Sequence, residues 1–185
     1  MFLGYDQQSI YKYYRKLGAR VGENCYIGVR SLGSEPYLVT LGNHVWISEE
    51  VSFHTHDGGV WVLQKTQRDL KVFGTIVIED NCLIGRGAHL LSNVRIGTNS
   101  IVGPGSVVIS DIPPNSIVMG VPARPISSIS KYEERCLARW KVQKPPALDT
   151  SQKHWFSMKK NKDVLKNHLL NVFKDQEKPE AEPGK

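Results

Sequence analysis

Cysteine is scarce in this chain. Cys25, Cys82 and Cys136 are the only three among 185 residues, and no two form a C-x-x-C pair. That excludes a zinc ribbon or a disulfide framework and fits reduced thiols. Long apolar runs are also lacking; none reaches the length needed to cross a bilayer. The opening stretch, MFLGYDQQSIYKYYRK, does not have the basic-then-apolar layout of a secretory leader, so a cytoplasmic location is expected. A charge excess is missing from most of the chain as well. The formal net charge is +6, yet residues 1–123 hold ten Lys/Arg against ten Asp/Glu, and residues 124–185 hold fourteen against eight. A nucleic-acid reader would concentrate cations on its folded surface, so no nucleic-acid partner is expected. The basic tail reads mainly as a solvated segment, with weak peripheral attraction to an anionic membrane as the functional alternative.

What the chain has instead is a period of six. Ile78, Ile84, Leu90, Ile96, Val102 and Val108 stand at strict six-residue intervals, with glycine directly after three of them. The position four after each aliphatic tends to be small: Cys82, Ala88, Val94, Ser100, Ser106. Six matches neither the helical period of 3.6 nor the strand period of 2. It matches a solenoid in which each hexapeptide makes one flat side of a coil, the aliphatic points inward, and the next residue helps turn the corner. Earlier copies occur at Val21-Gly22, Ile27-Gly28, Leu41-Gly42, Ile47 and Phe53. The fold class expected is an all-β solenoid with a short N-terminal helix and a helical C-terminal tail.

The expected organisation follows. Residues 1–20 carry a helix over 6–17, N-capped by Asp6 and closed by Gly18, with Ile10, Tyr14 and Leu17 on one face. Coils occupy 21–126, with a two-residue slip across 30–36 and an excursion at 57–74 that has no hexapeptide phase. Long non-repeat loops in a compact repeat fold are usually functional. Pro113-Pro114 and Gly120-Val121-Pro122 end the repeat. Residues 127–175 form a helical extension whose first face (Ile129, Tyr132, Cys136, Leu137, Trp140) suits a cap over an open coil end. Its second amphipathic stretch is expected at 163–174. Residues 176–185 are charged, proline-rich and expected to be disordered.

Three features together resemble the hexapeptide-repeat acyltransferases, in the branch that acetylates sugars and bacterial surface polysaccharides. They are the repeat, the segment Phe53-His54-Thr55-His56-Asp57-Gly58-Gly59, and the closing stretch Asp111-Ile112-Pro113-Pro114-Asn115…Gly120-Val121-Pro122-Ala123-Arg124. The resemblance covers about residues 20–126. It implies a left-handed parallel β-helix, a homotrimer with sites between neighbouring subunits, and acetyl-CoA as co-substrate.

The resemblance implies a catalytic histidine where a coil gives way to the loop, which makes His56 the expected base; imidazole, titrating near neutral pH, suits that role. His54, two residues back on the same strand face, is its rival. Glu35 and Asp57 are candidate orienters, Asp57 more readily a turn former with Gly58-Gly59. The resemblance places the donor along Gly85-Arg86, Gly103-Pro104 and Ile109-Ser110, with Arg124 near the CoA phosphates. Three positions depart from the family pattern: Leu83 where tryptophan is frequent, Ser92-Asn93 where Pro-Gly is frequent, and Ser110 where sugar acetyltransferases often have lysine. Arg86 or a tail lysine is the candidate substitute for that lysine. His44 and His89 read as outward coil residues, while His154 and His168 belong to the tail.

The expected function is O-acetyl transfer from acetyl-CoA to a hydroxyl of a sugar or surface-polysaccharide precursor, without a covalent enzyme intermediate. An antibiotic-acetylating enzyme is the enzymatic alternative, and a non-catalytic scaffold is the alternative of another class. No metal is expected: a solenoid carbonic anhydrase would need a histidine five residues after His89, and that position is Val94.

Overall fold

A computed structural model of the chain, describing residues 6–151 and 155–174, shows it visiting three sheets in rotation. The first sheet holds β1 (Arg20–Val21), β3 (Val39–Leu41), β6 (Ile76–Ile78) and β9 (Val94–Ile96). The second holds β2 (Tyr26–Ile27), β4 (Trp46–Ile47), β7 (Leu83–Ile84), β10 (Ile101–Val102), β12 (Ser116–Met119) and β13 (Arg124–Ser128). The third holds β5 (Ser52–Phe53), β8 (His89–Leu90) and β11 (Val107–Val108). Among the described residues every pairing of these strands is parallel except β12 with β13.

Register explains the period. Leu41, Ile78 and Ile96 align in the first sheet, Ile47, Ile84 and Val102 in the second, and Phe53, Leu90 and Val108 in the third. All nine are buried, so three aliphatic columns form one narrow core. Each such side chain removed from water contributes about 1.5–3 kcal/mol.

The corners differ from the sequence expectation. The residue after the inward aliphatic does not turn the chain. The residue three after it does, in the left-handed region: Asn24, His44, Asn81, Asn99 and Asn115 at one corner, Glu50, Gly87 and Gly105 at the next, Asn93 at the third. Asparagine tolerates this conformation better than other residues with a Cβ. At the first corner the side chains also form a ladder: His44 Nδ1 to Asn81 Oδ1 (2.7 Å), Asn81 Nδ2 to Asn99 Oδ1 (2.6 Å), Asn99 Nδ2 to Asn115 Oδ1 (3.2 Å). The glycines after the aliphatics serve a different need. A Cβ on Gly97 would lie 2.5 Å from the Pro114 backbone nitrogen of the next coil.

The Pro113-Pro114 pair does not end the sheet. It occupies a corner, and β12 continues the second sheet beside β10 before β13 turns back antiparallel. At the other end, Asp6 caps α1 (Gln7–Lys16) by accepting from the Ser9 N–H at 2.9 Å. α1 covers the first coil through Ile10, Tyr11 and Tyr14; Leu17, expected on that face, is the exposed C-cap. The Tyr14 hydroxyl donates to the Val29 carbonyl (2.9 Å), and burial pushes its pKa up to about 12.

The chain divides into two compact units at Lys131/Tyr132. The second holds most of α2 (Ile129–Gln143), none of whose residues is buried, and α3 (Lys159–Lys174). Within it the buried Asn161 amide donates to the carbonyls of Asp149 (2.8 Å) and Trp155 (2.9 Å). No helix among the described residues is long and apolar enough to cross a membrane. The expected disordered segment 176–185 and His154 lie outside the described residues.

Candidate active site

Two irregular segments meet beside β5. The first is the slip at residues 30–36. Gly33 adopts φ +89°, and a Cβ there would lie 2.8 Å from Thr55 Oγ1, so only glycine lets the segment pass this close. Glu35 is thereby set against the end of β5. The second is the excursion. It leaves after His56 and returns at Phe73, and the two pair as an antiparallel bridge. The Asp57 N–H donates to the Val72 carbonyl (2.9 Å) and the Gly74 N–H to the Thr55 carbonyl (3.0 Å), closing the loop at its neck.

At this junction Glu35 Oε2 lies 3.0 Å from His56 Nδ1 and 2.5 Å from Thr55 Oγ1. Hydrogen bonds from the Thr55 hydroxyl and then the His56 ring hold the Glu35 carboxyl below its ordinary pKa, so it is ionised at neutral pH. A carboxylate only accepts, so Nδ1 carries the proton and Nε2 of the neutral ring carries the lone pair. That is the tautomer of an oriented general base. The ring is about half exposed and lines a cavity of about 330 Å³ bounded by Asp57, Trp61, Lys71 and Phe73.

The rival histidine has different company. His54 Nε2 lies 3.0 Å from His89 Nδ1, with the rings stacked at 5.3 Å. Burial, then His89, then His56 push its pKa down. It faces another imidazole and no carboxylate. Asp57 is engaged elsewhere: its carboxylate accepts from the Gly59 N–H at 2.8 Å and caps a 3₁₀ helix over Gly58–Leu63.

The donor candidates fall at two corners. Gly85-Arg86 and Gly103-Pro104 stack at the corner between the second and third sheets; Ile109-Ser110 follow β11 on the far side of the third sheet. From the sequence, glycine at these positions is expected to let a ligand approach the backbone; in the fold the space beside each glycine is taken by protein. The space beside Gly85 is filled by the Pro104 backbone nitrogen, which a Cβ would meet at 2.6 Å, and that beside Gly103 by the Met119 side chain. Both glycines are buried, and the lack of a Cβ lets the coils stack there. Arg86 is tied to Glu50 through contacts of 2.6 and 3.2 Å. Arg124 is exposed, and among the described residues its guanidinium donates only to the Ala123 carbonyl (3.0 Å). No group of three metal-ligating side chains occurs among the described residues.

Sequence reasoning missed Thr55. A buried polar residue between two exposed histidines was the signal, but its partner lies twenty residues away across an irregular loop.

Comparison with known proteins places the chain. Residues 75–110 match the family model of bacterial transferase hexapeptides (six repeats), and residues 18–47 match the hexapeptide repeat of succinyl-transferase. Protein CapG of Staphylococcus aureus is 41% identical over 164 residues, covering 87% of each chain. A galactoside O-acetyltransferase of Escherichia coli K12 is 34% identical over 114 residues, 62% of this chain and 56% of that one. Among solved structures, a hexapeptide-repeat containing acetyltransferase from Vibrio cholerae has the same fold, with a TM-score of 0.52 and 24% identity over 67% of this chain and 81% of that one.

Proposed function

The chain belongs to the hexapeptide-repeat acetyltransferases, and on that premise we propose that it moves acetyl from acetyl-CoA to a hydroxyl of a sugar or bacterial surface-polysaccharide precursor. The observation that carries this reading is the Glu35–His56 contact, which occupies Nδ1 and turns Nε2 of a half-exposed ring toward a cavity with aromatic walls, so that in the neutral ring Nε2 is the proton acceptor. Trp61 and Phe73 offer ring faces suited to a pyranose, whose C–H face is apolar. The galactoside acceptor in the name of the Escherichia coli relative is consistent with such a ligand.

In the proposed reaction His56 Nε2 takes the proton of the acceptor hydroxyl while that oxygen bonds to the thioester carbonyl carbon. The C–S bond then breaks, and the proton returns from the imidazolium to the CoA thiolate. Glu35 holds the ring in its tautomer and stabilises the imidazolium that forms. A backbone N–H stabilises the oxyanion. A positioned base of this kind supplies about 10²–10⁴ in rate.

The coil is proposed to be a left-handed β-helix and the working unit a homotrimer, with acetyl-CoA lying between neighbouring subunits. Arg124 is the stronger candidate for the CoA phosphates, since Arg86 is already paired with Glu50. The test is CoA release from acetyl-CoA across free sugars, polysaccharide repeat units and antibiotics. Sugar-dependent release that His56→Ala removes is the expected result. Release with antibiotics alone moves the acceptor class, and no release together with no CoA binding leaves a scaffold.

A further inference from the structure

We infer that Thr55 is a positioning residue for the base, holding the Glu35 carboxylate where it accepts from His56. The inference rests on the reading of His56 as that base. Thr55 is 1% exposed, between two exposed histidines, as alternation along an extended segment requires. Its hydroxyl has one proton to give and lone pairs to receive. It donates to Glu35 Oε2 (2.5 Å), and it accepts from the Glu35 N–H (3.3 Å). One hydroxyl therefore grips both the backbone and the carboxylate of the same residue.

The oxygen it grips is also the one that His56 uses. Glu35 Oε2 receives both Thr55 Oγ1–H and His56 Nδ1–H. A glutamate on an irregular loop has three side-chain torsions to sample, and no ion pair with Lys or Arg holds it among the described residues. Without the hydroxyl, the remaining restraint on the carboxylate is the imidazole it is meant to orient. Gly33 completes the arrangement: a Cβ there would meet Thr55 Oγ1 at 2.8 Å and the Phe53 carbonyl at 2.9 Å. The loop thus lies flush on Thr55, and the hydroxyl is screened from water that would compete for Glu35.

The geometry separates Thr55 from a residue that merely fills space. Valine has nearly the same shape and would satisfy packing, yet it has no proton for Glu35. Serine keeps the proton and loses a methyl. The clamp predicts that Thr55→Val lowers kcat about 10- to 100-fold, the range seen when a group orienting a functional ligand is lost. The KM for acetyl-CoA stays within a few-fold, and Thr55→Ser returns kcat to within a few-fold of the parent.

The experiment measures those variants beside Glu35→Gln and the Thr55→Val/Glu35→Gln pair, with thermal melts on each. In a Glu35→Gln background the Thr55→Val change should add little, because both act through one contact. Nitrogen-15 NMR of His56 reads the tautomer directly: Nδ1–H in the parent and in Thr55→Ser, with a growing Nε2–H fraction in Thr55→Val. Thr55→Ala gives the same readouts if the valine variant does not fold. A valine or alanine variant with parental kcat and tautomer overturns the clamp, as do fully additive effects in the double variant. The NMR arm needs no acceptor. If no acetyl transfer is found with any acceptor, the functional reading fails alone, and the tautomer measurement still decides the role of Thr55.

Discussion

His56 and Phe73 face each other across the neck of the excursion as an antiparallel bridge, their rings edge-on with centroids 6.4 Å apart. The bridge makes the loop at 57–74 a closed appendage, anchored by the same backbone segment that carries His56. Replacing residues 58–71 by a short Gly-Ser turn, with Asp57 and Val72–Gly74 kept, should therefore leave the coil folded. The KM for the acceptor is expected to rise by at least about tenfold, with CoA affinity within a few-fold, because Trp61 and Lys71 line the cavity and are remote from the core columns. An unchanged acceptor KM would show that this cavity does not hold the acceptor.

His56→Ala should lower kcat by about 10²–10⁴ while leaving CoA affinity nearly intact. His54→Ala should do far less, since its ring contacts His89 and no carboxylate. Steady-state kinetics on both variants decide the matter; reversed effects would move the base to His54.

Glu35 also leaves a mark on stability. Its folded pKa is depressed by Thr55 and His56, so its contribution is present above the unfolded glutamate value of about 4.3 and disappears as pH falls through the lower folded value. The Tm gap between the parent and Glu35→Gln should be open at pH 6 and shrink toward pH 3. A gap that stays constant over that range would mean that charge has no part in the contact.

His54 has the opposite chemistry and the same direction. Its folded pKa lies below the ordinary imidazole value, burial being the main cause, so the unfolded chain takes up a proton near pH 6.5 that the folded chain resists. Acidification from about pH 6.5 to 5.5 should cost stability in the parent and less in His54→Gln. NMR titration of His54 should give a midpoint below 6.5, and His89→Ala should recover only part of the shift. Full recovery would make the neighbouring ring, not burial, the main cause.

The two kinds of corner glycine should separate in denaturant unfolding. Gly87 has φ +68° and open space around it, so Gly87→Asn, a residue that adopts this conformation elsewhere in the coil, should change stability by about 0.5 kcal/mol or less. Gly97→Asn drives a Cβ into the Pro114 backbone and should cost about 1–3 kcal/mol or more. Equal costs would refute the distinction between turning and stacking positions.

The period of six made the coil legible because an inward side chain must recur wherever each sheet is crossed. Ile78, Ile84 and Leu90 announce three faces with no knowledge of their neighbours. The corner was misassigned for a related reason. Glycine recurs after the aliphatics just as asparagine recurs two positions later, and periodicity alone does not say which one turns and which one makes room. His56 was legible through its place at the loop exit. Residue type leaves its orienter open between Glu35 and Asp57, since both are carboxylates on irregular segments.

By itself the sequence determined the repeat, the columns that fill the core, the neutral coil with its basic tail, and the histidine at the loop exit. Those properties follow from residue type and spacing along one strand. Which carboxylate meets the imidazole was decided only in three dimensions. Glu35 and His56 are twenty-one residues apart, and their contact depends on a left-handed glycine at position 33, a buried hydroxyl at position 55, and a loop neck paired at Phe73. The same holds for the donor candidates. Sequence marks Gly85 and Arg86 as open and basic, whereas the stacked coils fill the space beside one and Glu50 neutralises the other. Contacts between coils join residues with no fixed separation in sequence, so local pattern can name their chemistry but not their partners.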